Sequence, residues 1–115
     1  QLGDLVLASV AAIFKNNIRR GDLAARYGGE EFVVILPNCE KHNAMLIANK
    51  MRQSIEVEKF PYQQQQPLGN LTCTFGVATF PEDADSKELL LKKADDCLYK
   101  GKASGRNKVL AAEPL

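Results

Sequence analysis

The sequence predicts an α+β domain, with helices packed on a mostly antiparallel sheet. Two observations carry the prediction. Apolar residues recur at helical spacing in three separate stretches, and shorter runs rich in β-branched and aromatic residues lie between them. A Gly-Gly pair at 28–29 joins two of those runs, which signals a tight hairpin and hence antiparallel pairing.

Val6, Val10, Ile13, Phe14, Asn17 and Ile18 share one face, with Lys15, Asn16 and Arg19 largely elsewhere, so a helix is predicted over about 4–18. Residues 22–27 and 31–36 read as the strands of the hairpin. The run 32–36 is continuously apolar, as in a strand covered on both faces, and Pro37-Asn38 ends it. Ala44, Ile47, Ala48, Met51 and Ile55 form a second stripe and predict a helix over about 40–57. Pro61, Pro67, Gly69 and the glutamines at 63–66 mark 60–70 as a solvated loop. Residues 71–80 read as a strand. Asp85, with Glu88 three residues on, has the pattern of a capping box. It would open a helix striped by Leu90, Ala94, Cys97, Leu98 and Gly101, and Gly105 suits that helix's C-terminus. A short last strand is read at 107–111.

A chain of 115 residues, 45% hydrophobic and 25% charged, is one ordinary globular domain with one modest core, spanning 1–115. A net charge of +1 argues against a broad nucleic-acid footprint, though it leaves room for a locally basic phosphate site. No apolar run approaches the roughly 18 residues of a membrane helix, and no signal peptide is visible. A cytoplasmic location is therefore expected, whether alone or as the cytoplasmic part of a larger protein. Cys39, Cys73 and Cys97 are odd in number and lack C-x-x-C spacing, as reduced structural cysteines do. His42, the one histidine, has no metal-ligand or nucleophile pattern around it and reads as a surface helix residue. The first residue is Gln1, not Met, so further chain is expected ahead of it.

The stretch Arg26-Tyr27-Gly28-Gly29-Glu30-Glu31-Phe32 concentrates the chemistry. Both glycines can take positive φ, and their missing side chains let a bulky ligand approach the backbone. Adjacent carboxylates at such a turn can hold a hard cation such as Mg²⁺. An ordinary hairpin with solvated glutamates is the plain alternative. Lys102 and Arg106 lie four apart and share one face if the helix continues through Ser104. There they would offer a point charge and a planar fork to a phosphate chain, or simply complement the helix dipole. Asp4 stands just before the first periodic run, where it could cap the helix.

Four motifs in this order resemble the GGDEF family, the diguanylate cyclases: Gly3-Asp4; Arg19-Arg20-Gly21-Asp22; the Gly28-Gly29-Glu30-Glu31-Phe32 loop; and Phe75-Gly76-Val77-Ala78 followed by the stretch from Ala94 to Asn107. The resemblance implies a ferredoxin-like, palm-type nucleotidyl cyclase fold whose first strand would lie before Gln1 and is missing here. It implies condensation of two GTP into cyclic di-GMP with release of pyrophosphate, by a homodimer using Mg²⁺ or Mn²⁺, downstream of a sensory domain. Glu30 is implied as metal ligand and catalytic acid, with Glu31 as the second acid. Gly28 and Gly29 are implied to pass close to the nucleotide, Asp4 to read guanine, and Lys102 and Arg106 to hold terminal phosphates. Arg19 and Asp22 match an inhibitory cyclic di-GMP site. Lys50 stands where some members carry a second arginine, and it keeps the charge but loses the fork.

A metal-binding aspartate, a phosphate lysine and a guanine-reading asparagine of the family would also precede Gln1. The chain by itself is therefore expected to be inactive, with an unpaired strand edge that favours self-association. Two other readings compete with the enzyme. One is a GGDEF module that binds cyclic di-GMP or GTP as a receptor; the intact loop, Lys102 and Arg106 favour the enzyme over it. The other is a ferredoxin-like RNA-binding domain, disfavoured by the near-neutral charge and the lack of an aromatic RNP-like strand.

Overall fold

The structure is a computed structural model describing residues 3–60 and 71–115. The loop read at 60–70 thus lies outside the described residues except for Phe60. The elements run α1 (Asp4–Asn16), β1 (Leu23–Gly28), β2 (Glu31–Ile35), α2 (Lys41–Val57), β3 (Phe75–Val77), α3 (Lys87–Ala103) and β4 (Val109–Ala111). This is the predicted order.

Polar side chains near the termini set where the helices stop and start. Asn17 turns its Nδ2 back to the Ile13 carbonyl at 2.7 Å, competing with the helix ladder, so α1 ends at Asn16 rather than 18. At the other end Gly3 is the N-cap and Asp4 is the first helical residue, with no side-chain cap bond. Asp4 therefore does not cap; its charge faces the positive end of the helix dipole. The capping box at Asp85 and Glu88 does not form either. Ser86 caps α3 by accepting the Leu89 N–H at 3.1 Å, and the box position then falls on Leu89, which has no carboxylate to return.

β1 and β2 pair antiparallel, Leu23 opposite Ile35 through Arg26 opposite Phe32. β3 and β4 pair parallel, Phe75 opposite Val109 through Val77 opposite Ala111, joined by α3 as the crossover. The sheet is thus not mostly antiparallel among the described residues but two separate pairs. The strand read at 71–80 shrinks to three residues because β4 offers it a ladder only that long.

One core joins these pieces: Val6, Val10 and Phe14 of α1, Met51 and Ile55 of α2, and Phe60. The Phe14 ring sits edge-on to Phe32 of β2 at 5.2 Å and to Phe75 of β3 at 5.8 Å. Strand β2 is not covered on both faces as read. Phe32 and Val34 pack on the core, while Ile35 and its partner Leu23 are 51% and 53% exposed. A second tie holds α2 to the turn before α3. Fully buried Asp83 accepts Lys41 Nζ at 2.6 Å and the Thr79 N–H at 2.8 Å, and Lys41 also reaches the Ala112 carbonyl. The hydrogen bond to Asp83 raises the Lys41 pKa.

Candidate functional site

The hairpin turn is built as its residues suggest, with one difference. Gly29 alone takes positive φ, at 53°; Gly28 does not. Gly28 pairs with Glu31, so Gly29 and Glu30 are the two central residues, and positive φ at only the first is the type II′ pattern. The register shifts between Arg26 and Gly28, which leaves Tyr27 as a bulge beside the turn. Arg26 Nε donates to the Gly29 carbonyl at 2.8 Å and braces the loop. A Cβ built on either glycine meets nothing within 4 Å, so the turn stands open to a ligand.

The two carboxylates stand on this turn, and the end of α3 comes to meet them. Lys102 Nζ lies 3.9 Å from Glu31 Oε2, with both side chains partly exposed. Helix α3 stops at Ala103, however, so Arg106 does not share a helical face with Lys102. The end is a Schellman turn. Gly105 at φ 119° follows the cap residue Ser104, and the Arg106 N–H donates to the Gly101 carbonyl at 2.9 Å. Arg106 itself sits at φ 62°. Among the described residues its guanidinium makes no hydrogen bond or ion pair.

A cavity of about 480 Å³ opens between α1 and the hairpin, lined by Asp4, Leu7, Ala8, Ala11, Lys15, Ala24, Ala25, Arg26 and Phe32. Four alanines leave the space, and Asp4, Lys15 and Arg26 supply polar groups on its wall. Sequence reading had Asp4 but missed the two cations. Arg26 was findable as the strand cation two residues before Gly28; Lys15 looked like any solvated helix lysine.

Arg19 and Asp22 form a closed fork apart from this turn. Arg19 Nε and Nη2 donate to the two Asp22 oxygens at 3.0 Å each, the Arg19 N–H adds a third bond at 2.8 Å, and Nη2 also reaches the Pro37 carbonyl at 2.8 Å. The side-chain hydrogen bond from Arg19 holds the Asp22 carboxyl below the ordinary range and lifts the guanidinium higher still. Lys50 lies exposed on α2 and has no ion pair among the described residues. His42 is exposed in the first turn of α2. All three cysteines are free, and burial pushes the Cys73 thiol up to about 11. Among the described residues no three His, Cys, Asp or Glu side chains gather as a metal cluster. Nor, among them, is any helix long and apolar enough to cross a membrane.

An open glycine turn bearing two acids, met by a lysine at a helix end, is an arrangement suited to phosphate and a cation. Comparison with known proteins identifies the family. The diguanylate cyclase GGDEF domain family matches residues 1–108, and the chain belongs to that family. It is 41% identical over 107 residues, 93% of its length, to Diguanylate cyclase A of Treponema denticola. It is 40% identical over 109 residues, 95% of its length, to the response regulator PleD of Caulobacter vibrioides. The chain spans only 28% and 24% of those two relatives. Among solved structures, the active GGEEF domain of a diguanylate cyclase from Vibrio cholerae superposes with a TM-score of 0.85 at 27% identity, covering 97% of this chain and 69% of that one. The coiled coil and GGDEF domain of DgcB from Caulobacter crescentus, in complex with c-di-GMP, superposes with a TM-score of 0.80 at 28% identity over 93% of this chain and 56% of that one. The fold is the palm-type cyclase fold of these domains.

Proposed function

We propose that this domain, in its full-length protein, is a diguanylate cyclase. The 3′-hydroxyl of one GTP attacks the α-phosphorus of a second, the bond to pyrophosphate breaks, and repetition in the other direction closes cyclic di-GMP. The observation that carries the reading is the meeting of Glu31 and Lys102 across 3.9 Å at the open turn, because it puts acid and phosphate-binding cation at one place. Lys102 and Arg106 bind the terminal phosphates, and Asp4, on the cavity wall, accepts from the guanine donors. Glu30 takes the proton of the attacking hydroxyl, and Glu31 keeps Lys102 oriented.

In the full-length protein these acids would supply part of the shell of a divalent ion, which the residues described do not complete by themselves. Mg²⁺ or Mn²⁺ is commonly held by one or two carboxylates with phosphate oxygens and waters completing the shell, and Glu30 and Glu31 supply carboxylates beside the expected phosphates. When bound, such an ion neutralises phosphate charge and acidifies the hydroxyl. Arg19, Asp22 and Lys50 form a separate site for the product, which would inhibit the enzyme. A receptor that binds cyclic di-GMP or GTP without turnover is the second reading, and the Arg19–Asp22 fork serves both.

Glu30→Gln in the full-length protein separates the two. It should fold normally and lower cyclic di-GMP synthesis from GTP by about a hundredfold, which is about 2.7 kcal/mol of lost transition-state stabilisation. Wild-type rates in that variant would reject the catalytic assignment. No synthesis by the wild type, with cyclic di-GMP still bound, would favour the receptor.

A further inference from the structure

Past α3, three consecutive residues adopt left-handed backbone: Gly105 at φ 119°, Arg106 at 62° and Asn107 at 52°. Stopping the helix needs only the first. Asparagine enters this region with little resistance, but arginine does not. A strained residue persists only where its surroundings over-determine it.

Those surroundings are visible. The Asn107 side chain is gripped at both ends by α2: its Oδ1 accepts from Arg52 Nη1 at 3.0 Å and its Nδ2 donates to Glu56 Oε2 at 2.8 Å. Its backbone N–H donates to Thr74 Oγ1 at 3.0 Å. Arg52 is itself oriented, by Nε to Asn49 Oδ1 at 2.9 Å and by Glu56 Oε1 at 3.3 Å from Nη1. On the other side the Arg106 N–H is tied to Gly101. The Arg106 backbone is thus pinned before and after, while its guanidinium has no partner among the described residues. Only the backbone sets where that side chain starts.

We infer that Asn107, clamped by Arg52 and Glu56, is a positioning residue that aims Arg106 at the terminal phosphates of a nucleoside triphosphate lying at the glycine turn. Lys102, in the last turn of α3, already reaches that turn through Glu31. Directing the Arg106 side chain beside Lys102 gives the strain a purpose. The inference rests on the reading of Arg106 as a phosphate ligand.

Calorimetric titration of the full-length protein with GTP and with GMP tests it, because only GTP carries the terminal phosphates. Arg106→Ala and Asn107→Ala should each weaken GTP about tenfold and GMP less than twofold. The double variant should be no more than twofold worse than Arg106→Ala. Asn107→Gly, which keeps the left-handed backbone accessible but lacks the amide, should behave like Asn107→Ala. Glu56→Ala should follow the same trend, and Glu56→Gln, whose one amide oxygen still accepts from Asn107 Nδ2 while the bond from Arg52 is lost, should restore most of the binding. This pair carries the test should the Asn107 variants fail to fold. An unchanged GTP affinity in the clamp variants overturns the inference. So does equal weakening of GTP and GMP, or losses that multiply with Arg106→Ala. If Arg106→Ala leaves the GTP-to-GMP ratio unchanged, the phosphate reading falls and the positioning role with it. If Arg106→Ala lowers the ratio and the clamp variants do not, only the positioning role falls.

Discussion

Arg19 divides its guanidinium between Asp22 and the Pro37 carbonyl, and Asp22 is held almost out of solvent at 2% side-chain exposure while Arg19 stays half-exposed. A product molecule would have to use the exposed side of Arg19 or break the fork. The fork has its own signature in stability. The Asp22 carboxyl is held below its ordinary value near 3.8 by the hydrogen bonds from Arg19. A depressed carboxylate stabilises the fold above its unfolded pKa and loses that contribution as pH falls through the folded one. Asp22→Asn should therefore melt lower than wild type from about pH 5 to neutrality, and the two curves should converge as pH falls below about 4. A gap that stays constant with pH would mean that packing, not the ion pair, holds this turn. The sequence shows the Arg19-x-x-Asp22 spacing, but the Pro37 carbonyl is 18 residues away and only the fold brings it in.

At the scale of elements, the closest fit is α3 on β3. A Cβ added to Gly76 would lie 2.6 Å from the Leu98 backbone nitrogen and closer still to the Ala94 carbonyl, so neither neighbour can rotate away. Gly76→Ala should cost at least about 1–3 kcal/mol, the usual range for overpacking a core, read as a lower denaturant midpoint. A wild-type midpoint would show that α3 can slide on the sheet. Helices and hairpin are legible in the sequence because burying one face imposes a period that residues such as Val6, Val10 and Phe14 display directly. Their ends are less legible. Asp85 and Ser86 are both capping types; the spacing to Glu88 points to Asp85, yet Ser86 wins in the fold. The left-handed run after Gly105 had half a signal, since Asn107 favours that conformation and Arg106 does not. The parallel pairing of β3 and β4 was available from topology, because a strand, a 17-residue helix and a strand suit a crossover. The hairpin signal at Gly28-Gly29 drew the reading toward antiparallel pairing throughout.

For the whole molecule, the count of sites decides the assembly. Among the described residues one glycine turn with its acid pair meets Lys102, and a cavity opens beside Asp4; on the proposed reading they would take a single nucleotide. Cyclic di-GMP contains two, each the nucleophile toward the other. If the proposed activity holds, two copies would face each other about a two-fold axis, each turn presenting its GTP to the opposite one. The proposed activity follows the dimer, not the chain. In the full-length protein, synthesis per molecule should rise with protein concentration and level off where dimer saturates. Sedimentation run over the same concentrations should place the midpoint of both curves together. Closed dimers made by crosslinking should keep the saturated rate on dilution. A per-molecule rate that holds flat down to demonstrably monomeric dilutions would mean that one chain binds both nucleotides. A second nucleotide site would then have to exist beyond the turn between β1 and β2, and Glu30 could not serve both reacting hydroxyls in the same way.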